Sequence, residues 1–179
     1  RGLGSGNVDH RLRQTDFRDD AQAPAFPWLG QALVDLDRLQ AVLLIGAHPR
    51  KDQPLVNLRL RKAALKGATV MAVNPLDVEF SYRLGPKVIT DPAGMVPALA
   101  GIALALAGLQ RADVPAELRP LVAGGRPTDT EQAIAEVLFR SENPAVLLGS
   151  FAATHPRAAT LRALAELIAD LCSAKLGHL

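Results

Sequence analysis

The stretch that decides the fold runs from Gln40 to Pro75 and reads QAVLLIGAHPRKDQPLVNLRLRKAALKGATVMAVNP. Two apolar runs, Ala41–Ile45 and Thr69–Val73, flank an amphipathic segment, Leu55–Lys66. Short apolar runs bounded by glycine and proline are typical of buried strands, and apolar residues at helical spacing indicate a helix. Because parallel strands need a crossover connection, this order predicts a strand–helix–strand unit of a parallel sheet.

The turns after the two strands are the candidate ligand-binding positions of this unit. Ligands of open α/β sheets bind outside the carboxyl ends of the strands. The candidate residues there are Gly46, His48, Asn74 and Pro75. The first turn lacks both G-x-G-x-x-G and G-K-[ST], so it predicts neither a dinucleotide fingerprint nor a Walker A loop. His48 either contacts an anionic ligand or bonds to loop backbone, and the sequence leaves both open.

The same pattern recurs about 100 residues further along the chain. Ala145–Leu148 predicts a buried strand, and His155-Pro156 opens a segment that predicts a helix through about Ala174. Lys87–Thr90 predicts a short third strand. Strands that alternate with helices in this way predict an α/β fold, a doubly wound parallel sheet with helices on both faces.

The domain organisation follows from the same segments. We expect residues 1–37 to be a lead-in segment, mostly loop, and residues 38–179 to be a Rossmann-like α/β domain with a linker at about 110–127. Both ends look like cuts within a longer polypeptide, so the domain is expected to be truncated. Exposed cut surfaces could make such a fragment self-associate.

Composition bounds the function. The chain has 179 residues with a net charge of +2, which gives no support for a nucleic-acid partner. A single cysteine, Cys172, excludes an internal disulfide and any iron–sulfur or zinc site built on cysteines of this chain. The uncharged segment Pro92–Leu109 is diluted by small residues and is expected to be a buried helix, without direct membrane insertion.

No residue pattern predicts catalysis or metal binding. Ser150 lacks the G-x-S-x-G elbow that would make it a hydrolase nucleophile, so Asp9-His10 has no nucleophile to serve. The four histidines are scattered and form no metal motif. The basic residues Arg59, Arg61, Lys62 and Lys66 form either a solvated helix face or a docking surface for an acidic partner.

These segments resemble, in order and spacing, the molybdopterin oxidoreductases. The family pattern has G-x-N-P, a helix with Arg and Ala, G-A, and a strand that ends D-P-R. The matching residues are Ile45–Pro49, Pro54, Arg59–Ala63, Gly67-Ala68 and Val73-Asn74-Pro75, then Ile89–Pro92 before an alanine-rich helix, with Gly4–Arg11 resembling G-T-N-N-x-D-H. The resemblance implies a formate dehydrogenase-like domain.

Departures from that pattern point to one branch of the family. No cysteine follows Asp9-His10, His48 replaces an asparagine, Asn74 replaces the acidic residue that meets the guanosine ribose of the pterin, and Leu76 replaces an arginine. They resemble the branch formed by the large peripheral subunits, the G subunits, of bacterial NADH-quinone oxidoreductase. That resemblance implies vestigial cofactor positions in this stretch.

The resemblance to this branch implies a structural, non-catalytic domain that supports electron transfer from NADH to quinone by the whole complex. No cofactor is expected in this chain, and the iron–sulfur clusters are expected in the amino-terminal part of the parent subunit. The implied partners are the other subunits of the peripheral arm. The implied location is the cytoplasmic face of the bacterial inner membrane.

Two other functions remain open at this point. One is a fragment of a pterin-binding molybdenum oxidoreductase of the formate dehydrogenase type, with cofactor contacts at Gly46–His48 and Asn74–Asp77. The other, weaker alternative is the nucleotide-binding domain of a thiamine-diphosphate enzyme, which has similar strand–helix units.

Overall fold

The centre of the protein is a five-stranded parallel sheet with the order β3-β2-β1-β4-β5. The computed structural model describes Asp16, Arg18, Asp19, Ala21 and residues 26–179. The strands are β1 Ala41–Ile45, β2 Thr69–Asn74, β3 Lys87–Ile89, β4 Pro144–Leu148 and β5 Lys175–His178. Every neighbouring pair runs parallel, which confirms the predicted α/β class.

Helices cover the two faces of the sheet. They are α1 Pro49–Asp52, α2 Pro54–Leu65, α3 Pro92–Gln110, α4 Arg119–Val122, α5 Asp129–Arg140, α6 Ser150–Ala153 and α7 Ala158–Cys172, with a 3-10 helix at Leu33–Arg38. Side chains of β1 alternate between two apolar clusters, with Leu43 in the cluster of α3, α5 and α7 and Leu44 in the cluster of α2 and the 3-10 helix. Because both faces are covered, all five residues of β1 are buried, as a continuous apolar run predicts.

Local signals in the sequence place the starts of two helices that pack on one face. The Asp91 carboxylate accepts a hydrogen bond from the Gly94 N–H at 2.7 Å and caps α3. Thr128 and Glu131 form a capping box at the start of α5. Each cap satisfies main-chain donors that the first helical turn leaves unpaired. Both starts were predictable because the caps involve residues only three positions apart.

The apolar helix α3 is long and apolar enough to cross a membrane by length and composition alone, and 56% of its most apolar stretch is buried inside the protein. Met95, Leu99, Ile102 and Leu106 are fully buried in the cluster that α3 shares with α5 and α7. The helix therefore contributes to the hydrophobic core, as expected from the sequence.

The carboxyl-terminal region differs from the sequence prediction. The helix expected from His155 begins at Ala158, and residues 175–178, for which no strand was predicted, form β5 beside β4. His155 lies outside α7 because the residue before a proline is disfavoured in helical geometry. The strand was missed because Lys175 and His178 flank only two residues, and its pairing depends on β4.

Two described residues of the lead-in segment, Asp16 and Asp19, contact α7. The Asp16 carboxylate accepts a hydrogen bond from the Ala159 N–H at 3.0 Å, in the first turn of α7. Asp19 forms an ion pair with Arg162. The Arg162 guanidinium holds the pKa of the Asp19 carboxyl below its usual value. A distant segment therefore supplies the cap that the Arg157 side chain, at the helix N-cap, does not provide.

Candidate functional site

The topology defines one place where a ligand would be expected. The chain passes from β1 to β2 and β3 on one side, and β4 and β5 lie on the other side of β1. The loops that leave the adjacent strands β1 and β4 therefore diverge at the carboxyl edge of the sheet. This is the topological switch point, where open α/β sheets bind ligands in a crevice.

In this protein the two loops at the switch point are in main-chain contact. A Cβ atom on Gly46 would lie 2.5 Å from the main-chain nitrogen of Ala152, and one on Gly149 would lie 2.4 Å from the Cα of Ala47. The carbonyl of Gly46, whose φ is +57°, accepts a hydrogen bond from the Phe151 N–H at 2.9 Å. Glycine is needed at both positions because no side chain fits between the loops.

A side-chain contact holds the outer part of this junction. The Ser150 hydroxyl, at the start of α6, donates a hydrogen bond to the Asp52 carboxylate of α1 at 2.6 Å. The serine that a hydrolase would use as its nucleophile instead links two short helices. This contact closes the loops over the carboxyl ends of β1 and β4.

Asn74, at the end of β2, is the most fully engaged of the candidate residues. It is 1% exposed. Its Oδ1 accepts a hydrogen bond from the Ala47 N–H and its Nδ2 donates to the Ala47 carbonyl, each at 2.9 Å. The amide thus pairs with both main-chain groups of one residue in the neighbouring loop. Asn74 positions the β1 loop instead of facing a ligand.

The residues after Asn74 turn toward solvent. Pro75 is half-buried and Leu76 is 57% exposed. The Asp77 carboxylate accepts a hydrogen bond from the Lys87 ammonium at 2.5 Å. The position that carries an arginine in the family pattern therefore presents an apolar side chain, which offers no hydrogen bond to a phosphate.

His48 lies half-buried at the N-cap of α1, and its side chain makes no capping hydrogen bond. Its ring centroid is 6.5 Å from that of Phe80, which in turn lies 5.6 Å from the ring of Tyr82. Arg50, two residues after His48, forms an ion pair with Glu79 at 2.9 Å. The structure therefore places the His48 ring near Phe80, the first member of an aromatic pair.

A cavity of about 470 Å³ lies beside these rings, in the connection between β2 and β3. Its lining includes Asp77, Phe80, Tyr82, Arg83 and Lys87. The Tyr82 hydroxyl is buried with no hydrogen-bond partner among the described residues, and burial raises its pKa. The sequence carried no signal for this cavity because its residues belong to a connection without regular structure.

His155 and His178 are the other two histidines that the structure describes. His155 is 5% exposed, its Nδ1 accepts a hydrogen bond from the Arg157 N–H, and its Nε2 lies 2.8 Å from the Pro92 carbonyl. Since Nδ1 accepts, Nε2 carries the proton and donates to Pro92, which joins the starts of α7 and α3. Asp9-His10 lies outside the described residues. Burial lowers the pKa of His178 on β5.

Within the part of the chain that the structure describes, no cluster of three or more histidine, cysteine or acidic side chains could hold a metal ion. Cys172 is buried, its thiol donates to the Ile168 carbonyl at 3.0 Å, and burial raises its pKa to about 11. A thiol in that state is a poor nucleophile and a poor metal ligand at neutral pH.

The basic residues of α2 divide into two groups. Arg59 forms an ion pair with Asp37 at 2.9 Å, and the Lys66 ammonium lies 3.4 Å from the Asp37 carbonyl. Arg61 and Lys62 are exposed and take part in no ion pair among the described residues. Only part of the predicted basic face is therefore available to a partner.

Comparison with known proteins identifies the family. The model of the family described as "Molybdopterin oxidoreductase" matches residues 2–177, almost the whole chain. The chain belongs to the molybdopterin oxidoreductase family. This membership confirms the resemblance and the fold class inferred from the sequence. It favours the two molybdopterin-type functions over the thiamine-diphosphate alternative.

Two similar proteins, from Mycobacterium bovis and Mycobacterium tuberculosis, are both named as the G subunit of NADH-quinone oxidoreductase. Each is 31% identical over 113 residues, covering 59% of this chain and 14% of the relative. The chain thus spans about one seventh of the length of these relatives. This similarity agrees with the branch inferred from the departures at His48, Asn74 and Leu76.

A solved structure shares the fold. It is the formyltransferase/hydrolase complex FhcABCD from Methylorubrum extorquens, in complex with methylofuran, with a TM-score of 0.51 and 14% identity. The superposition covers 85% of this chain and 39% of that chain. At this identity the likeness concerns the fold alone.

The family implies a pterin cofactor, and the residues at the switch point can be compared with what such a group needs. A nucleotide-bearing cofactor needs open space and free donors at the carboxyl edge. Here the β1 and β4 loops are in main-chain contact, the Asn74 amide oxygen and nitrogen both bond to Ala47, and Arg50 is paired with Glu79. These residues do not fit a pterin dinucleotide between β1 and β4.

Proposed function

We propose that this chain is a structural, non-catalytic part of a large peripheral subunit, the G subunit, of a bacterial NADH-quinone oxidoreductase. It would support electron transfer from NADH to quinone by the whole complex. Its task would be to pack against the other subunits of the peripheral arm, on the cytoplasmic face of a bacterial inner membrane. No redox cofactor would bind to this chain, and the clusters would lie in another part of the parent subunit.

The observation that carries the proposal is the paired amide of Asn74. A side chain that served a cofactor would present an unpaired polar atom to the crevice. Asn74 is instead 1% exposed, and both ends of its amide bind the main chain of Ala47. A buried amide whose oxygen and nitrogen both bond to one neighbouring loop stabilises that loop and has little to offer a ligand.

The relatives support the same interpretation from an independent direction. The similar mycobacterial proteins are named as subunits of NADH-quinone oxidoreductase. The closed junction between the β1 and β4 loops offers no reaction site, so a role in holding neighbouring parts of an assembly is the function that the geometry favours.

The alternative is a pterin-binding molybdenum oxidoreductase. The observation in its favour is the cavity of about 470 Å³ in the connection that follows β2, which Phe80 lines. The His48 ring lies 6.5 Å from the Phe80 ring, between centroids. A cofactor that bound there would lie outside the switch point. Its contacts would come from the connection between β2 and β3 instead of from the closed loops.

Elemental and cofactor analysis of the full-length protein separates the two functions. The protein is purified under anaerobic conditions, and molybdenum, tungsten and pterin are measured per polypeptide. We expect none in stoichiometric amount, together with co-purification of other NADH-quinone oxidoreductase subunits. Stoichiometric pterin, or a protein that purifies without those subunits, would refute the proposal.

A further inference from the structure

The helix α2 carries apolar side chains on two opposite faces. Val56 and Leu60 are buried against the sheet, as expected for a helix that covers it. Leu55, Leu58 and Leu65 point the other way and are 66%, 45% and 72% exposed. An isolated exposed leucine needs no explanation, but three on one helix face form a stripe that a partner could cover.

The spacing of the stripe is that of a helix-pairing seam. With Leu55 at position a of a heptad, Leu58 falls at d, Lys62 at the next a and Leu65 at the next d. Residues at a and d of a helix contact a partner helix in knobs-into-holes packing. The stripe therefore fits another helix that lies along α2, with a lysine in the middle of the contact.

The charges around the seam indicate which kind of partner helix would bind there. Three basic residues, Arg59, Arg61 and Lys66, occupy the flanking e and g positions, and α2 contains no acidic residue. Arg59 is already paired with Asp37. Arg61 and Lys62 are exposed and take part in no ion pair within the described ranges. Acidic residues at the matching positions of a partner would neutralise them.

A second copy of this chain fits the seam poorly. Pairing two α2 helices would bring the cations of one seam, Arg61 and Lys62, against those of the other. Like charges at facing positions of paired helices oppose association. Because the seam is apolar and its flanking charges are all positive, a helix of different sequence with acidic flanks fits it better.

From these observations we infer that α2 is a docking surface for an acidic amphipathic helix of a neighbouring subunit, seated on Leu55, Leu58 and Leu65 with an acidic side chain opposite Lys62. This inference rests on the proposed function and deepens it, because it names which surface of the chain meets the rest of the assembly and by what chemistry.

Site-specific photocrosslinking in the full-length protein, within its native assembly, tests the contact directly. A benzophenone amino acid is placed at Leu58, and the crosslinked peptide is identified by mass spectrometry. The matched control is the same probe at Phe139 on α5, whose exposure of 41% is close to the 45% of Leu58. We expect the Leu58 probe, and not the control, to crosslink to an acidic helical segment of another subunit.

Charge and size variants give a second, quantitative readout. K62E should weaken retention of the crosslinked subunit about tenfold, because it places an acidic group against an acidic partner. L58A should weaken retention several-fold, because Leu58 lies in the middle of the seam and the residues that dominate binding cluster near the centre of an interface. Both residues are exposed, so the far-UV circular dichroism and thermal midpoint of the variants should match those of the wild-type protein.

The inference is overturned by crosslinks to a second copy of the chain, to another part of the same polypeptide, or to a segment without acidic residues. A Leu58 yield no higher than that of Phe139 overturns it as well. If the unmodified protein still co-purifies with the other subunits in these cases, the proposed function stands. If it does not co-purify, the proposed function fails by its own test.

Discussion

The amide of Asn74 offers the sharpest test of how the carboxyl edge of the sheet is built. In N74A, the N–H and C=O of Ala47 both lose their partner in a site where the side chain is 1% exposed. Leaving a buried polar group unpaired costs about 1–3 kcal/mol. We therefore expect N74A to lower the free energy of unfolding by about 2–5 kcal/mol, which corresponds to a midpoint lower by roughly 5–15 °C.

The assay is urea and thermal unfolding of residues 1–179, followed by far-UV circular dichroism. The matched control is N57A. The Asn57 amide is 9% exposed and donates a hydrogen bond to the exposed hydroxyl of Ser81 at 3.0 Å, where water can replace it. We expect N57A to cost less than about 1 kcal/mol. If N74A costs no more than N57A, the main-chain pairing at Ala47 does not hold this loop, and the reasoning is wrong.

A second substitution at the same position adds a pH signature. In N74D the new oxygen faces the Ala47 carbonyl, and burial favours the neutral acid, so its pKa in the folded protein rises above the unfolded value. The carboxylate is therefore destabilising above that folded pKa. As the pH falls through it, the acid gains a proton that it can donate to Ala47. We expect N74D to be least stable near pH 8 and to recover toward pH 5, whereas the loss in N74A stays constant.

Three further predictions follow from other parts of the fold. G149A should lower the free energy of unfolding by about 1–3 kcal/mol, because its Cβ would lie 2.4 Å from the main chain of Ala47. G108A, where the new Cβ on α3 meets open space, should leave the free energy of unfolding unchanged or raise it by up to about 1 kcal/mol. Urea unfolding of the two variants measures the difference, and equal effects would contradict the close approach at Gly149. Burial raises the pKa of the Cys172 thiol from 9.0 to about 11. The thiol should therefore react with Ellman's reagent at pH 8 about 100-fold more slowly in the folded than in the unfolded protein. Equal rates would contradict its burial. The Asp19 carboxyl has a folded pKa below its unfolded value of 3.8, so its pairing with Arg162 stabilises fully above that value and is lost as the pH falls through the folded pKa. D19N should accordingly be less stable than the wild-type protein at pH 7, with the difference shrinking below about pH 4 in unfolding titrations; a pH-independent difference would refute the ion-pair account.

Much of the fold was predictable because its signals are local. The run Ala41–Ile45 coincides with β1, since a strand buried on both faces needs an uninterrupted apolar segment. The starts of α3 at Asp91 and α5 at Thr128 depend on caps within three residues. β5 at Lys175–His178 was missed, since its short mixed segment becomes a strand only through pairing with β4.

The position of the candidate site was predictable from the sequence, but whether its side chains face a ligand or bond to a neighbouring loop was not. Gly46, His48, Asn74 and Pro75 lie at the carboxyl edge, as the order of strands and helices requires. Whether an asparagine there faces a ligand or a neighbouring loop depends on contacts between residues 27 positions apart. Sequence spacing carries no information on that choice, and only the packed arrangement reveals it.

The strand order also governs how the chain can fold while it is being made. β1 occupies the middle of the sheet, yet one of its two partners, β4, lies about 100 residues later. At typical synthesis rates of about 5–20 residues per second, one hydrogen-bonding edge of β1 stays open for roughly 5–20 s. The apolar helix α3 is synthesised within that interval, before α7 exists to cover it. The nascent chain therefore exposes an unpaired strand edge and an apolar helix at the same time, until β4 pairs with β1 and α7 packs on α3.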